Sequence, residues 1–312
     1  MPSPPLLPSW NEGPVRSAIE DFLQAACDPA SPRHVTPPER IAVFAHDGTL
    51  CSEFPLPVQA LFIGARLAEL ARRWPALADR EPFSAFLRED LPRVHGLGWR
   101  GIARIGHVTH AGMSIEEYAR RATEWLGQAH HPWLGRPVSR CAYAPQRELL
   151  ACLHAHGFSC FIVTAADTAF VRALAPLAYG VPPQHVLGTH ARTRLEPSAG
   201  GPMLVKLAHG ERSNEREEKV QSISAQIGKR PLFAFGNADR DLAMLRYTLG
   251  GEGPRLALLL HHDDGVREFA YDSGFALNPL DEALERAPEF GIGRVSMRDD
   301  WRRVFAPAGD DA

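Results

Sequence analysis

The sequence predicts an α/β fold: a doubly wound, Rossmann-like parallel sheet with a helical segment inserted after its first strand. Three observations carry this expectation. Short apolar runs at Ile41–Phe44, Ser159–Val163, Pro231–Phe235 and Arg255–Leu260 alternate with stretches of helical periodicity. Three of these runs lead into polar residues: Asp47 with Thr49, Thr164, and Asn237 with Asp239 and Asp241. About ninety residues of mainly helical pattern separate the first run from the next α/β unit.

Taken in order, the proline-rich residues 1–12 predict an extended arm. Val15, Ala18, Ile19, Phe22 and Leu23 share one face of a helix over 15–26. The loop 28–40 leads into the first strand. Leu61, Ile63, Leu67, Leu70, Ala71 and Trp74 predict a helix over 57–74, and 82–91 predicts another. The stretch 93–112 is rich in Gly and His and receives no assignment. Ser114 with Glu117 forms a capping-box pattern that opens a helix to Gln128. Beyond it come a helix over 146–156, the strand 159–163, a helix over 170–178, and a short strand at 185–189. Gly200-Gly201-Pro202 predicts a β-hairpin within 191–207. A helix over 219–227, the strand 231–235, a helix over 241–247 and a last strand at 255–260 complete the pattern. The expected division is a core of 1–51 and 145–312 with an inserted domain of 52–144.

The chain has 312 residues, is 45% hydrophobic, and carries a formal net charge of -3. That length suffices for one large domain with an insertion. The near-neutral balance gives no electrostatic reason to expect nucleic acid. No stretch reaches the roughly 18 to 20 apolar residues of a membrane span. The start of the chain lacks the charged and apolar regions of a signal peptide. The five cysteines, Cys27, Cys51, Cys141, Cys152 and Cys160, show no C-x-x-C pair. Reduced core thiols in a cytoplasmic protein are the expectation, not a zinc site or a disulfide framework.

In a parallel sheet the three polar strand ends face one side. Lys219 stands one helix before the third of them. Acids, a hydroxyl and a lysine on one edge suit a metal-bound phosphoryl group, because Mg2+ takes oxygen ligands and a lysine stabilises the transferring charge. Each residue also has an ordinary explanation. Asp-Gly-Thr alone is a turn. Lys219 adjoins a charged run that reads as a solvated helix face. Asp239 is divided between assisting Asp241 and capping a helix. His95, His107 and His110 are expected to be solvent-exposed or to make structural hydrogen bonds more than to contact substrate. His261-His262-Asp263-Asp264 is expected to be a structural loop, since it follows a different strand.

Together these four motifs resemble those of the haloacid dehalogenase superfamily, and in particular a group of bacterial phosphatases on its phosphoserine phosphatase branch. The resemblance extends to Ser9–Pro14, Arg40–Gln59, the stretch from His131 to Tyr143, the Gly-Asn-x-x-x-Asp motif at Gly236–Asp241, His262–Asp264 with Arg267–Tyr271, and Asp299–Trp301 with Val304–Phe305. It implies a helical cap for the insertion and a small phosphorylated molecule as substrate, with neither nucleic acid nor membrane as partner. It implies that Asp47 is the acid/base with its carbonyl on Mg2+. Thr164, Gly48 and Thr49 would bind the phosphoryl group, Lys219 would stabilise it, and Asn237 and Asp241 would hold the metal.

The sequence departs from this family at two places. Ala165-Ala166 stands where the relatives have Gly-Gly. Ala45 stands where they have the nucleophilic Asp, and alanine can neither attack phosphorus nor ligate a cation. The resemblance therefore implies a Mg-dependent phosphatase that is inactive or nearly so. The alternative is a natural pseudoenzyme that binds a phosphorylated ligand; an engineered substitution at position 45 is a further possibility. Dehalogenase chemistry is weaker, because it needs the same missing carboxylate and no fourth-motif metal site.

Overall fold

The computed structural model describes residues 7–210 and 212–307. The elements in chain order are α1 (Pro14–Cys27), β1 (Ile41–Phe44), α2 (Val58–Arg73), α3 (Phe83–Leu87), α4 (Leu91–Gly96), α5 (Gly98–Thr109), α6 (Ile115–Gln128), α7 (Ala144–Ala155), β2 (Ser159–Asp167), α8 (Thr168–Tyr179), β3 (Val186–Thr189), β4 (Ala191–Glu196), β5 (Met203–Gly210), α9 (Glu217–Gln226), β6 (Phe233–Gly236), α10 (Leu242–Leu249), β7 (Leu256–His261), α11 (Glu282–Arg286) and β8 (Gly293–Ser296). The sheet order is β3-β2-β1-β6-β7-β8. β1 pairs in parallel with β2 and β6, and β6–β7 and β7–β8 are also parallel. This is the expected doubly wound α/β architecture.

The chain folds as two compact units. The first comprises Met1–Ser52, Arg140–Val163 and Glu215–Ala312; the second comprises Glu53–Ser139 and Thr164–Asn214. The boundary cuts β2 between Val163 and Thr164.

In the first unit β1 is flanked on both sides and buried at all four positions, which is why it reads as an unbroken apolar run. Phe44 of β1 packs against Phe233 and Phe235, and Phe22 against Phe158 and Phe233, with ring centroids 5.5 to 6.3 Å apart. The start of the chain is not a loose arm from Leu7 onward. Ser9 donates to Glu148, and Trp10 is buried edge-on against Trp301 at 6.0 Å. Residues 1–6 of the expected arm lie outside the described residues. One strand escaped the sequence pattern. β8 is a four-residue edge strand whose only fully buried side chain is Val295, too short for a period to show.

In the second unit α2, α5, α6 and α8 pack together, with Phe62 in contact with Tyr118, Trp125 and Phe170 at 5.3 to 5.7 Å. Ser114 accepts a hydrogen bond from the Glu117 N–H at 3.0 Å, so it caps α6 as expected. The Glu117 side chain turns to Arg121 instead of completing the box. The Gly- and His-rich stretch is helical: Trp99, Ile102, Ile105 and Thr109 form one buried stripe along α5. Gly98, Gly101 and Gly106, interspersed along the same helix, obscure that stripe in the sequence. The hairpin β4–β5 is antiparallel, as its Gly-Gly-Pro turn predicted.

Candidate functional site

The site begins where β1 ends. The Ala45 N–H extends the ladder by donating to the Phe235 carbonyl at 2.8 Å, and its methyl group is buried. The chain then turns sharply. Thr49 and Leu50 both donate to the His46 carbonyl, and Gly48 donates to Cys51 at 2.9 Å. Gly48 holds φ 72°, a left-handed conformation that a side chain disfavours. The turn leaves the Asp47 side chain 15% exposed, the accessible carboxylate of this loop.

Thr49 links the loop to the neighbouring strand. Its Oγ1 donates to Asn237 Oδ1 at 2.8 Å. Just beyond β6, the N–H groups of Asn237 and Ala238 donate to Asp241 Oδ2 at 3.0 and 3.2 Å. The other oxygen, Oδ1, receives Lys219 Nζ from α9 at 2.6 Å, and the same ammonium donates to the Val163 carbonyl at 2.7 Å. Lys219 and Asp241 are both buried, so each charge depends on the other. Gly236 is dictated by this packing, because a Cβ there would lie 2.6 Å from the Asp241 Cβ. Thr49, Asn237, Asp241 and Lys219 thus form one continuous hydrogen-bonded chain. Asp239 lies outside it and caps α11, its Oδ1 accepting from the N–H groups of Asp281 and Ala283.

Two histidines complete the loop: in the sequence His46 stands beside Asp47 with no role assigned, and His262 has a structural one. His46 is buried beside Asp47, with Nδ1 3.1 Å from Asp47 Oδ1 and Nε2 3.9 Å from Cys51 Sγ. Burial opposes its charge, but Cys51 and Asp47 outweigh burial and raise its pKa to about 10. His262 Nε2 donates to the Gly48 carbonyl at 2.7 Å. It belongs to the His-His-Asp-Asp segment expected to be purely structural because it follows another strand. That strand, β7, lies parallel and adjacent to β6, so its carboxyl end reaches the same side. Asp263 and Asp264 do serve structure: Asp263 accepts from Ser296 and Arg298, and Asp264 pairs with Arg267.

Thr164 belongs to the second unit. Its Oγ1 accepts from the Ala166 N–H at 3.0 Å and its carbonyl from Asn214. The next residues are held as firmly. The Ala165 carbonyl accepts from Trp99 and Thr189, and the Asp167 N–H donates to Gln59. Asp167 caps α8 with one oxygen and takes Lys206 Nζ on the other at 2.8 Å, while that ammonium sits 3.7 Å above the Tyr118 ring. Burial works against the Asp167 charge, yet Lys206 prevails and holds its carboxyl below the usual range. His95 bonds the Pro55 carbonyl and His110 the Gly106 carbonyl, structural contacts in both cases. A cleft of about 290 Å³ is lined by residues including Phe62, Arg66, His110, Arg121 and Trp125.

None of the five cysteines is joined in a disulfide. Burial raises Cys152 to about 11, with Cys27 and Glu20 adding to the shift, and Cys160 to about 12. Both therefore stay protonated core residues.

A family model for haloacid dehalogenase-like hydrolases matches residues 42–246, well over half of the chain. The chain belongs to the haloacid dehalogenase-like hydrolase family. No curated protein matches it. Among solved structures it is similar to a conserved functionally unknown protein from Anaerococcus prevotii, at 15% identity over 90% of this chain and 91% of that one, with TM-score 0.56. It is also similar to a Bordetella pertussis protein of unknown function, at 19% identity over 82% and 98% of the two chains, with TM-score 0.52. At these identities the likeness shows the fold alone.

Proposed function

We propose that this chain is a Mg2+-dependent phosphomonoesterase of the haloacid dehalogenase type, acting on a small phosphorylated molecule and silenced by Ala45. The observation that carries this reading is the chain of bonds from Thr49 through Asn237 and Asp241 to Lys219, formed beside a carboxylate at Asp47. A structural salt bridge needs no such alignment of polar groups past two adjacent strands.

The residues suit a hard cation. Asp47, Asn237 and Asp241 offer oxygen only, and Mg2+ is commonly held by one or two carboxylates with water and substrate phosphate. Asp241 Oδ1 keeps a lone pair beyond its bond to Lys219. Bound there, Mg2+ would neutralise charge on the phosphoryl oxygens.

With an Asp restored at position 45, the groups would act as follows. An Asp at position 45 would attack phosphorus, forming a P–O bond to its carboxylate as the ester P–O bond breaks. Asp47 would give its proton to the leaving alcohol, then take one from the water that cleaves the aspartyl-phosphate. Lys219 and Thr49 would bind phosphoryl oxygens. With Ala45 the first step has no nucleophile, while the remaining groups stay in place to bind.

The test is Ala45→Asp, assayed for phosphate release from a panel of phosphomonoesters with Mg2+. Turnover rising by several orders of magnitude over the Ala45 chain is expected. Silence from a folded variant that still binds Mg2+ would instead favour the second reading, a phospho-ligand-binding protein, which Ala45 itself recommends.

A further inference from the structure

The loop that bears Asp47 is held from a distant part of the chain as well as by its own turn. His262 Nε2 donates to the Gly48 carbonyl at 2.7 Å, one residue past Asp47. A carbonyl can only accept, so that nitrogen carries a proton. The other ring nitrogen faces Glu268 Oε2 at 3.4 Å. Glu268 is buried and fully engaged: Ser52 and Tyr143 donate to Oε1 at 2.6 and 3.0 Å, and the Phe269 N–H donates to Oε2 at 2.8 Å. Tyr271 stacks on the imidazole with ring centroids 4.3 Å apart. Every one of these groups lies in the first unit.

A buried imidazole could fill this space as a neutral spacer. The geometry argues otherwise. A carboxylate taken out of water costs several kcal/mol unless paired and hydrogen-bonded, and here three donors and a histidine are spent on it. The bond to Gly48 carries that network to the turn itself. Gly48 is also the residue whose left-handed φ makes the turn.

We infer that His262, oriented by Glu268, is a positioning residue that clamps the Gly48 carbonyl and so fixes where Asp47 and Thr49 present their oxygens. It touches no reacting atom. It acts as the outer hydrogen-bond partners of metal ligands do, whose loss costs roughly 10- to 100-fold in affinity or activity. Only the metal arm of the test below rests on the phosphomonoesterase reading.

The experiment uses the full Ala45 chain, with Mg2+ titrated calorimetrically and amide hydrogen exchange followed over residues 46–52. His262→Ala is expected to weaken Mg2+ binding about 10- to 100-fold and to speed exchange over 46–52 by at least about tenfold, with β1 and β6 still protected. His262→Gln, whose amide can donate to Gly48, is expected to recover most of both. Glu268→Gln tests the same clamp from its other end if His262→Ala does not fold, and should also loosen 46–52. Native exchange over 46–52 in all the folded variants overturns the clamp, as does failure of His262→Gln to recover what His262→Ala loses. If exchange responds as stated but the parent chain binds no Mg2+, the clamp stands and the metal reading falls.

Discussion

Each unit of this protein buries one lysine against one aspartate, and the two pairs differ in what surrounds them. Lys219–Asp241, in the first unit, ties α9 to β2 and to the loop after β6: the aspartate accepts from two backbone N–H groups, and the lysine donates to the Val163 carbonyl. Lys206–Asp167, in the second, closes a local packing problem: the aspartate caps a helix, and the lysine rests on the Tyr118 ring. A buried ion pair is thus no sign of a reactive centre by itself. Its meaning comes from whether its neighbours are polar groups at strand ends or a helix start and an aromatic face.

The sharpest way to break that contrast is to remove each ammonium in turn. In an Ala45→Asp background, Lys219→Met is expected to cut phosphate release about 10²- to 10³-fold. Lys206→Met is expected to cost stability, about 3 to 5 kcal/mol in urea unfolding, while the folded fraction keeps turning over. Equal loss of turnover in both would erase the distinction.

The buried histidines offer a second contrast, in pH. Burial drives His110 down to about 4, from an ordinary value of 6.5. Its folded pKa is depressed, so the unfolded state holds more protons between those values, and stability falls as pH drops through that window. The shift corresponds to about 3 kcal/mol. His110→Phe is expected to flatten urea-unfolding stability between pH 6.5 and 4 relative to the parent chain. His46 has the opposite sign. Its raised pKa adds stability below about pH 6.5 that is lost as pH rises through about 10. A parent and variant of identical slope would show that His110 is not held neutral.

The smallest expected effect lies at a helix end. Ser114→Ala removes the cap on α6 and is expected to cost about 1 kcal/mol, measured as a lowered thermal midpoint. A loss of more than twice that would mean the Ser114 hydroxyl does more than cap α6.

Much of this was legible in the residues themselves. A strand buried on both faces is an apolar run whatever it packs against, so β1 shows at Ile41–Phe44. Asp-Gly-Thr after that strand marks a turn, because Gly48 must take positive φ. Ser114 before two glutamates marks a helix start, because its hydroxyl answers an orphan N–H. These are local constraints, and local sequence expresses them. Interrupted periods were harder: α5 hid behind its glycines, and β8 was too short to repeat.

What the tertiary structure alone decided is which distant groups meet. Nothing in the spacing says that Asp239 turns to α11 while Asp241 turns to Lys219, since both carboxylates sit on one short loop. Lys206 looked like any residue of a hairpin until its pairing with Asp167 appeared. His262 stood in a segment set aside because it followed another strand, yet strand order brings that strand beside β6 and its histidine to Gly48. The sequence by itself determined the α/β class, the motif order and the alanine at position 45. Those are properties of neighbours along the chain. Contacts across dozens to hundreds of residues depend on strand order and helix packing, so only the fold could show how the Asp47 loop is held.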